Sequence, residues 1–552
     1  LNIAGRVRID NSHTKYEQKL YASSNATITE ESTQGHYTIA KPDETQTYAD
    51  VLANINKRFG DYSLVANVGA SIVNNKFEEL SYRGPIREKG IPNVFNVFDL
   101  DNAKKKARQD EWQEQTQSIF ASVEVGWKSM LYLTLTGRND WASQLANSST
   151  SSFFYPSVGL SGVISEMIQM PSFIDYMKVR GSFSSVGMPY PRNLTSPTYE
   201  YNEATQSWKP KTHYPIGDLK PERTDSWEVG LDMKLFKDFN LGLSWYLANT
   251  FNQTFDPQIS VSSGYTTIYL QTGYVRNTGL ELSLGYGHTW NNNFRWDSNF
   301  TLSHNKNKIK ELVRDYVHPE TGELINKDRL DVGGLGKARF ILKEGGTLGD
   351  LYTQSDLKRD DNGMVDIDPT GIVAIENNLP DIKLGSVFPK ANLAWSNHFS
   401  WKGISLSALF TARIGGIVYS ATEAAMDQYG VSERSALARD NGGVLVNNRT
   451  LVDAQNYYTT IGSESGLPQY YTYNATNVRL QEASIGYLIP RKWLGNVCDI
   501  QVSVIGRNLW MIYNKAPFDP ESVATTDNYY QGIDYFMLPS TRNIGFNVKI
   551  NF

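Results

Sequence analysis

Only one of the 552 residues is a cysteine. That thiol, Cys498, leaves no partner for an intrachain disulfide and no cysteine-based zinc site. The sequence also lacks any unbroken apolar run of about 18 residues, which removes the membrane-crossing helix from consideration. Positive charge is not in excess, with 53 Lys and Arg against 58 Asp and Glu and a net charge of −5. No basic field exists to recruit nucleic acid, and no nucleic-acid partner is expected. Histidine is sparse at 7, without a His-Glu-x-x-His pair, and no Gly-x-Ser-x-Gly elbow occurs. The expectation is a protein that is not an enzyme, with no catalytic residue, no metal ligand and no cofactor. The first ten residues, LNIAGRVRID, show neither a charged n-region nor an apolar h-region, and they already alternate.

Aromatic residues are abundant at 12%, including 32 Tyr and 12 Trp, although mean hydropathy is only −0.42. A transmembrane β-barrel reconciles the two, because lumen-facing residues dilute its lipid-facing ones one in two. The final stretch TRNIGFNVKINF makes the pattern explicit: Ile544, Phe546, Val548, Ile550 and Phe552 share one face of an extended chain, and Asn543, Gly545, Asn547, Lys549 and Asn551 share the other.

Similar alternation predicts strands near 1–10, 12–24, 46–58, 61–75, 113–127, 129–140, 153–164, 174–185, 221–236, 239–256, 271–289, 294–310, 386–400, 403–415, 474–490, 498–511 and 540–552. Short turns such as Phe59–Gly60, Lys128, Lys237–Asp238, Asn291–Asn293 and Lys402 alternate with long polar segments near 76–112, 186–220, 311–385, 416–473 and 512–539. Soluble sandwiches and propellers alternate as well, but a compact soluble domain rarely carries so many long connections. Outer-membrane barrels have tight periplasmic turns and long extracellular loops. In 239–248, Phe239, Leu241, Leu243, Trp245 and Leu247 would face lipid; in 404–413, Ile404, Leu406, Ala408 and Phe410 would do so. Trp127, Tyr132, Phe236, Phe239, Trp290, Phe294, Phe399 and Trp401 lie near turns, where interfacial girdles are expected.

The strands so read number seventeen, whereas single-chain bacterial barrels have an even number. An odd number of strands is therefore expected before residue 1, making this chain the C-terminal portion of a longer protein.

Five stretches carry a family resemblance: LKPERTDSWEVGLDMKLF (219–236), VRNTGLELSLGY (275–286), NVRLQEASIGYLIPRKW (477–493), GRNLW (506–510) and FDPES (518–522). Their residues, order and spacing resemble those of the SusC/RagA-like TonB-linked outer-membrane transporters of Bacteroidetes, and the resemblance covers essentially the whole chain. It implies an all-β fold, a transmembrane antiparallel β-barrel of which this chain holds about the last 17 of 22 strands, with the plug domain and TonB box absent from this sequence. It also implies multi-pass residence in the bacterial outer membrane and TonB-dependent import of oligomeric nutrients, glycans or peptides, through contacts with TonB. A SusD-like surface lipoprotein would sit on the long loops, in a dimer of transporter–lipoprotein pairs. The alternative is a non-transporting surface receptor or adhesin barrel.

Glu228, Asp232, Lys234, Glu281, Asp297, Arg413 and Arg507 are expected to face the lumen, more as inter-strand ion pairs than as substrate contacts. Substrate-binding residues are not otherwise assignable. Two further stretches carry weaker signals. SDLKRDDNGMVDID (355–368) has a calcium-loop look, but Met364 and Gly371 stand where ligands are needed, so a polar turn is expected. GGLGKARF (333–340) lacks the first Gly and the Ser/Thr of a phosphate loop, and a flexible loop is expected. The aromatic stretches YPIGDL, YYTYN (470–474) and DNYYQG suit sugars, peptides and protein partners alike.

Overall fold

A computed structural model describes residues 1–194, 199–202, 207–210, 213–214, 220–255, 267–268, 270–271, 273–290, 294–317, 322, 324–525 and 530–552. The turn expected at 291–293, nearly all of YPIGDL and the first half of DNYYQG lie outside the described residues. The chain forms two compact units, one chiefly Leu1–Val158 and the other chiefly Glu222–Phe552.

In the first unit β1 (Asn2–His13) and β2 (Tyr16–Leu20) both pair with β3 (His36–Phe59), β3 pairs with β4 (Tyr62–Pro85), β4 with β5 (Lys106–Trp127) and β5 with β6 (Leu131–Ala142), always antiparallel. Gly60, in the left-handed region at φ 56°, makes the tight turn between β3 and β4. One register row reads Arg6, Asp50, Ser71, Ser118 and Asp140. The next row reads Gly5, Val51, Ala70 and Ile119. Because side chains alternate across a strand, the polar row occupies one face and the apolar row the other.

Two sequence expectations change here. Segments 1–10 and 12–24 are successive stretches along the same partner strand, Ile9 opposite Thr47 and Tyr16 opposite Ala40, so they occupy one lateral position. The odd count behind the parity argument loses its basis. Both ends of segment 76–112 are also strand: Lys76 pairs with Gln113 and Arg83 with Lys106, which shortens the connection to 86–105. Polar and apolar residues are mixed on both faces, with Phe77 and Trp112 on one and Leu80 and Tyr82 on the other, so no alternation marks them, yet the backbone ladder continues regardless.

The second unit places Glu222–Leu235, Phe239–Phe251, Tyr274–Trp290, Phe294–Glu311, Ala391–Trp401, Ile404–Ile414, Asn477–Ile489, Asp499–Asn514 and Asn543–Asn551 side by side in chain order, each antiparallel to the next. Trp227, Val229, Trp245, Leu284, Trp395, Leu406, Ile485, Val504 and Phe546 are exposed on its apolar face. So broad an exposed apolar surface does not survive in water and identifies the face that meets lipid. Rings at the short-turn end touch in sequence from Phe239 to Tyr286, Trp290, Phe294 and Phe399, which is the expected girdle.

The long segments of this unit are not the structureless connections the sequence suggested. Arg329–Leu335, Ala338–Lys343, Asp350–Thr353 and Ile382–Ser386 form a four-stranded sheet. Helices Ala421–Gln428, Glu433–Asp440 and Ala454–Gly462 are capped at their N-termini by Ser420, Ser432 and Asp453. Together they enclose a core of Phe340, Leu351, Val387, Tyr419, Ile461, Leu467 and Tyr471. Each large side chain buried there contributes roughly 1.5–3 kcal/mol.

GGLGKARF is consequently a tight hairpin rather than a flexible loop. Leu335 pairs with Ala338, Phe340 is fully buried, and Gly334, at φ 139°, has no room for a Cβ against the Ala338 carbonyl. In 355–368, Asp360 Oδ1 accepts the amide N–H groups of Asn362 and Met364, each at 2.9 Å. The carboxylate serves its own backbone, as a polar turn requires.

Candidate functional site

Register pairing in the second unit brings the polar positions of adjacent strands into rows. Asp232 lies opposite Gly242, which lies opposite Ser283. Asp297 lies opposite His398, and His398 opposite Ser407. Against this wall are two cavities. One, about 1040 Å³, is lined by Asp232, Ser283, Asp297, His398, Ser407 and Glu482 among others. The second, about 750 Å³, is bordered by Ser244, Glu281, Ser303, Asn392, Arg413 and Glu521.

All seven charged residues singled out in the sequence fall on this polar face. Four of them are neutralised by neighbours. Arg180 donates from Nη2 to Glu228 at 2.9 Å and from Nη1 to Asp232 at 2.8 Å. Arg295 grips Asp297 with two bonds of 2.7 Å, and Arg507 reaches Glu482 at 2.8 Å. These are charge-assisted bonds between partly exposed groups, suited to holding strand registers and wetting the wall rather than to chemistry. Lys234, Glu281 and Arg413 form no ion pair among the described residues.

Arg180 itself carries the most connected node of the wall, with a third bond to Ser244 at 2.6 Å. Sequence reasoning missed it. Its strand and parity were visible, but its carboxylate partners lie 48 and 52 residues away and depend on which strands pair.

At the long-loop end the polar wall is tied to the folded loops. Arg479 is buried and bonded to Asp519, and Glu521 lies 3.3 Å from the same guanidinium. Deeper in the loops, Asp381 accepts 2.7 and 2.9 Å bonds from Arg329 and pairs with Lys343 at 2.9 Å. Those two cations hold its carboxyl well below the usual carboxylate range. Arg434 similarly binds buried Asp427 at 2.9 Å, while Tyr471 donates to that carboxylate at 2.9 Å. Burial and this neighbouring charge push the Tyr471 phenol up. These groups brace the loops.

Comparison with known proteins agrees with this architecture. A family model described as TonB dependent receptor-like, beta-barrel matches residues 3–368. TonB-dependent receptor P3 of Formosa agariphila is 23% identical over 561 aligned residues, covering 93% of this chain and 53% of the relative. TonB-dependent receptor P26 of the same organism is 24% identical, covering 83% and 48% respectively. The chain thus spans about half the length of the curated relatives it matches. Among solved structures, the RagAB peptide transporter aligns over 100% of this chain and 60% of its own, with a TM-score of 0.77 and 17% identity. A second RagAB structure, the importer in its open-open state, gives 0.73 at 17% identity.

Proposed function

Because the chain belongs to the TonB dependent receptor-like β-barrel family, we propose that it is the membrane-embedded part of an active importer that carries oligomeric nutrients, glycans or peptides, across the bacterial outer membrane. The observation that carries this reading is the division of the second unit into an exposed apolar face and a polar, ion-paired face fronting cavities of about 1040 and 750 Å³. Such a wall suits the passage of hydrated ligands past a lipid annulus.

The folded long-loop region supports a second element of the proposal. Tyr429, Val431, Leu437, Leu445 and Leu451 stand exposed on a region with its own core, a rigid apolar platform of the kind a partner covers. We assign that platform to a SusD-like surface lipoprotein, with TonB engaging the full-length protein from the other side. Extraction of the native protein in mild detergent, followed by intact mass and identification of what travels with it, tests both elements. The proposal expects a mass well above 62.2 kDa and a stoichiometric lipoprotein. Recovery of a protein of this mass alone would favour a non-transporting adhesin barrel.

A further inference from the structure

Four residues of the 750 Å³ cavity lie in one register row on four consecutive strands: Glu281 opposite Ser303, Ser303 opposite Asn392, and Asn392 opposite Arg413. Facing positions in a row project to the same side. The row thus begins with a carboxylate, ends with a guanidinium, and has two neutral hydrogen-bonding side chains between them.

Its charged ends differ from most of the other charges of the wall. Arg295, at the neighbouring cavity, is neutralised by Asp297. Arg413 makes one bond, donating from Nη2 to the Val387 carbonyl at 2.7 Å, and among the described residues its buried Nε has no hydrogen-bond partner. An arginine has five N–H donors, so most of its capacity is unspent. Glu521 borders the same cavity but is already committed to Arg479 at 3.3 Å and to Asn477 at 3.3 Å. Glu281 likewise has no ion-pair partner among the described residues. Opposite charges that form no ion pair among the described residues, set at the two ends of one row where Glu228, Asp232, Asp297 and Arg507 are all paired, suit a ligand that brings its own counter-charges.

Spacing narrows the ligand. Three interstrand steps of about 4.8 Å separate the two backbones by roughly 14 Å. An extended peptide advances about 3.5 Å per residue, so about four residues span the row. We propose that Glu281, Ser303, Asn392 and Arg413 form a binding row for short peptides with free termini, Glu281 taking the ammonium and Arg413 the carboxylate, while Ser303 and Asn392 bond the backbone between. This rests on the import reading and selects peptides from the two ligand classes it leaves open.

The test uses the full-length transporter with whatever lipoprotein accompanies it, and tetra-alanine as probe in four forms: free, N-acetylated, C-amidated and doubly blocked. In the native protein each block weakens binding by tenfold or more. In Arg413→Gln amidation has no further effect, while acetylation still does; in Glu281→Gln the pattern reverses. Heat-modifiable migration of each variant in detergent gels confirms a folded barrel. Equal effects of both blocks in native protein and variants, or no binding of free tetra-alanine, overturns the row. Oligogalacturonides that bind through Arg413 and ignore Glu281 overturn the peptide assignment in favour of acidic glycans. Neutral oligosaccharides that are bound and imported leave the import reading intact and end this inference, whereas loss of the gene without effect on uptake of any oligomer ends both.

Discussion

Arg479 and Asp519 are 40 residues apart in sequence and meet through two hydrogen bonds of 2.9 and 3.2 Å. The guanidinium stands on the strand Asn477–Ile489 and the carboxylate on the segment that follows Asp499–Asn514. Two of the five family-like stretches, NVRLQEASIGYLIPRKW and FDPES, are therefore one structural device: a buried ion pair that pins a long loop to the top of the wall. GRNLW does something different: its Arg507, exposed on the wall, bonds its register partner Glu482 on the adjacent strand at 2.8 Å.

Removing either member of the first pair strands a buried charge. Asp519→Asn or Arg479→Ala is expected to lower the stability of the 512–539 segment by about 3 kcal/mol, read as faster proteolysis there with the strands still protected. Arg479→Lys restores charge without the two-pronged geometry and is expected to rescue only part of the loss.

The loop core is expected to behave as a cooperative element. Phe340 is completely buried in it, and Phe340→Ala should cost about 3–5 kcal/mol. Hydrogen exchange should accelerate across 329–386 and 421–471, while the amides of Phe239–Phe251 stay protected.

Acid should loosen the same region. Arg329 and Lys343 lower the folded-state pKa of Asp381. The resulting stabilisation is complete above the unfolded value, about 3.9, and fades as pH falls through the lower folded value. Exchange protection of the loop sheet is expected to drop below about pH 4, and Asp381→Asn should be less protected at pH 7 and flatter with pH.

Adjacent positions on one strand should respond oppositely to the same charge. Phe410, midway along Ile404–Ile414 and opposite Trp395, is on the apolar face, and Thr411, which borders the 750 Å³ cavity, is on the polar one. Phe410→Arg is expected to cost about 2–4 kcal/mol in a bilayer. Thr411→Arg should be nearly neutral, as urea unfolding in vesicles would show.

Much of this was legible in the sequence, for a physical reason. Strands that separate lipid from a wet interior must alternate, so Phe239 to Leu247 and Ile404 to Phe410 declared both their conformation and their outward face. What stayed hidden has the opposite character. Residues 76–85 and 106–112 pair as strand without alternation because polar and apolar residues are mixed on both faces there. Phe340, Tyr419 and Tyr471 are spread over three segments, and no local period reveals that they meet. Arg180 could be seen as a charged residue on an alternating strand; its grip on Glu228 and Asp232 follows only from strand order. The row from Glu281 to Arg413 is legible only once four strands are in register.

The central claim is active import, and the most direct measurement is energised uptake. Cells with the intact gene and cells lacking it would be given isotope-labelled peptide and glycan oligomers too large for porins, with and without a protonophore. The account predicts accumulation that requires both the gene and the proton-motive force. Uptake unchanged by loss of the gene, or gene-dependent surface binding indifferent to the protonophore, would contradict it.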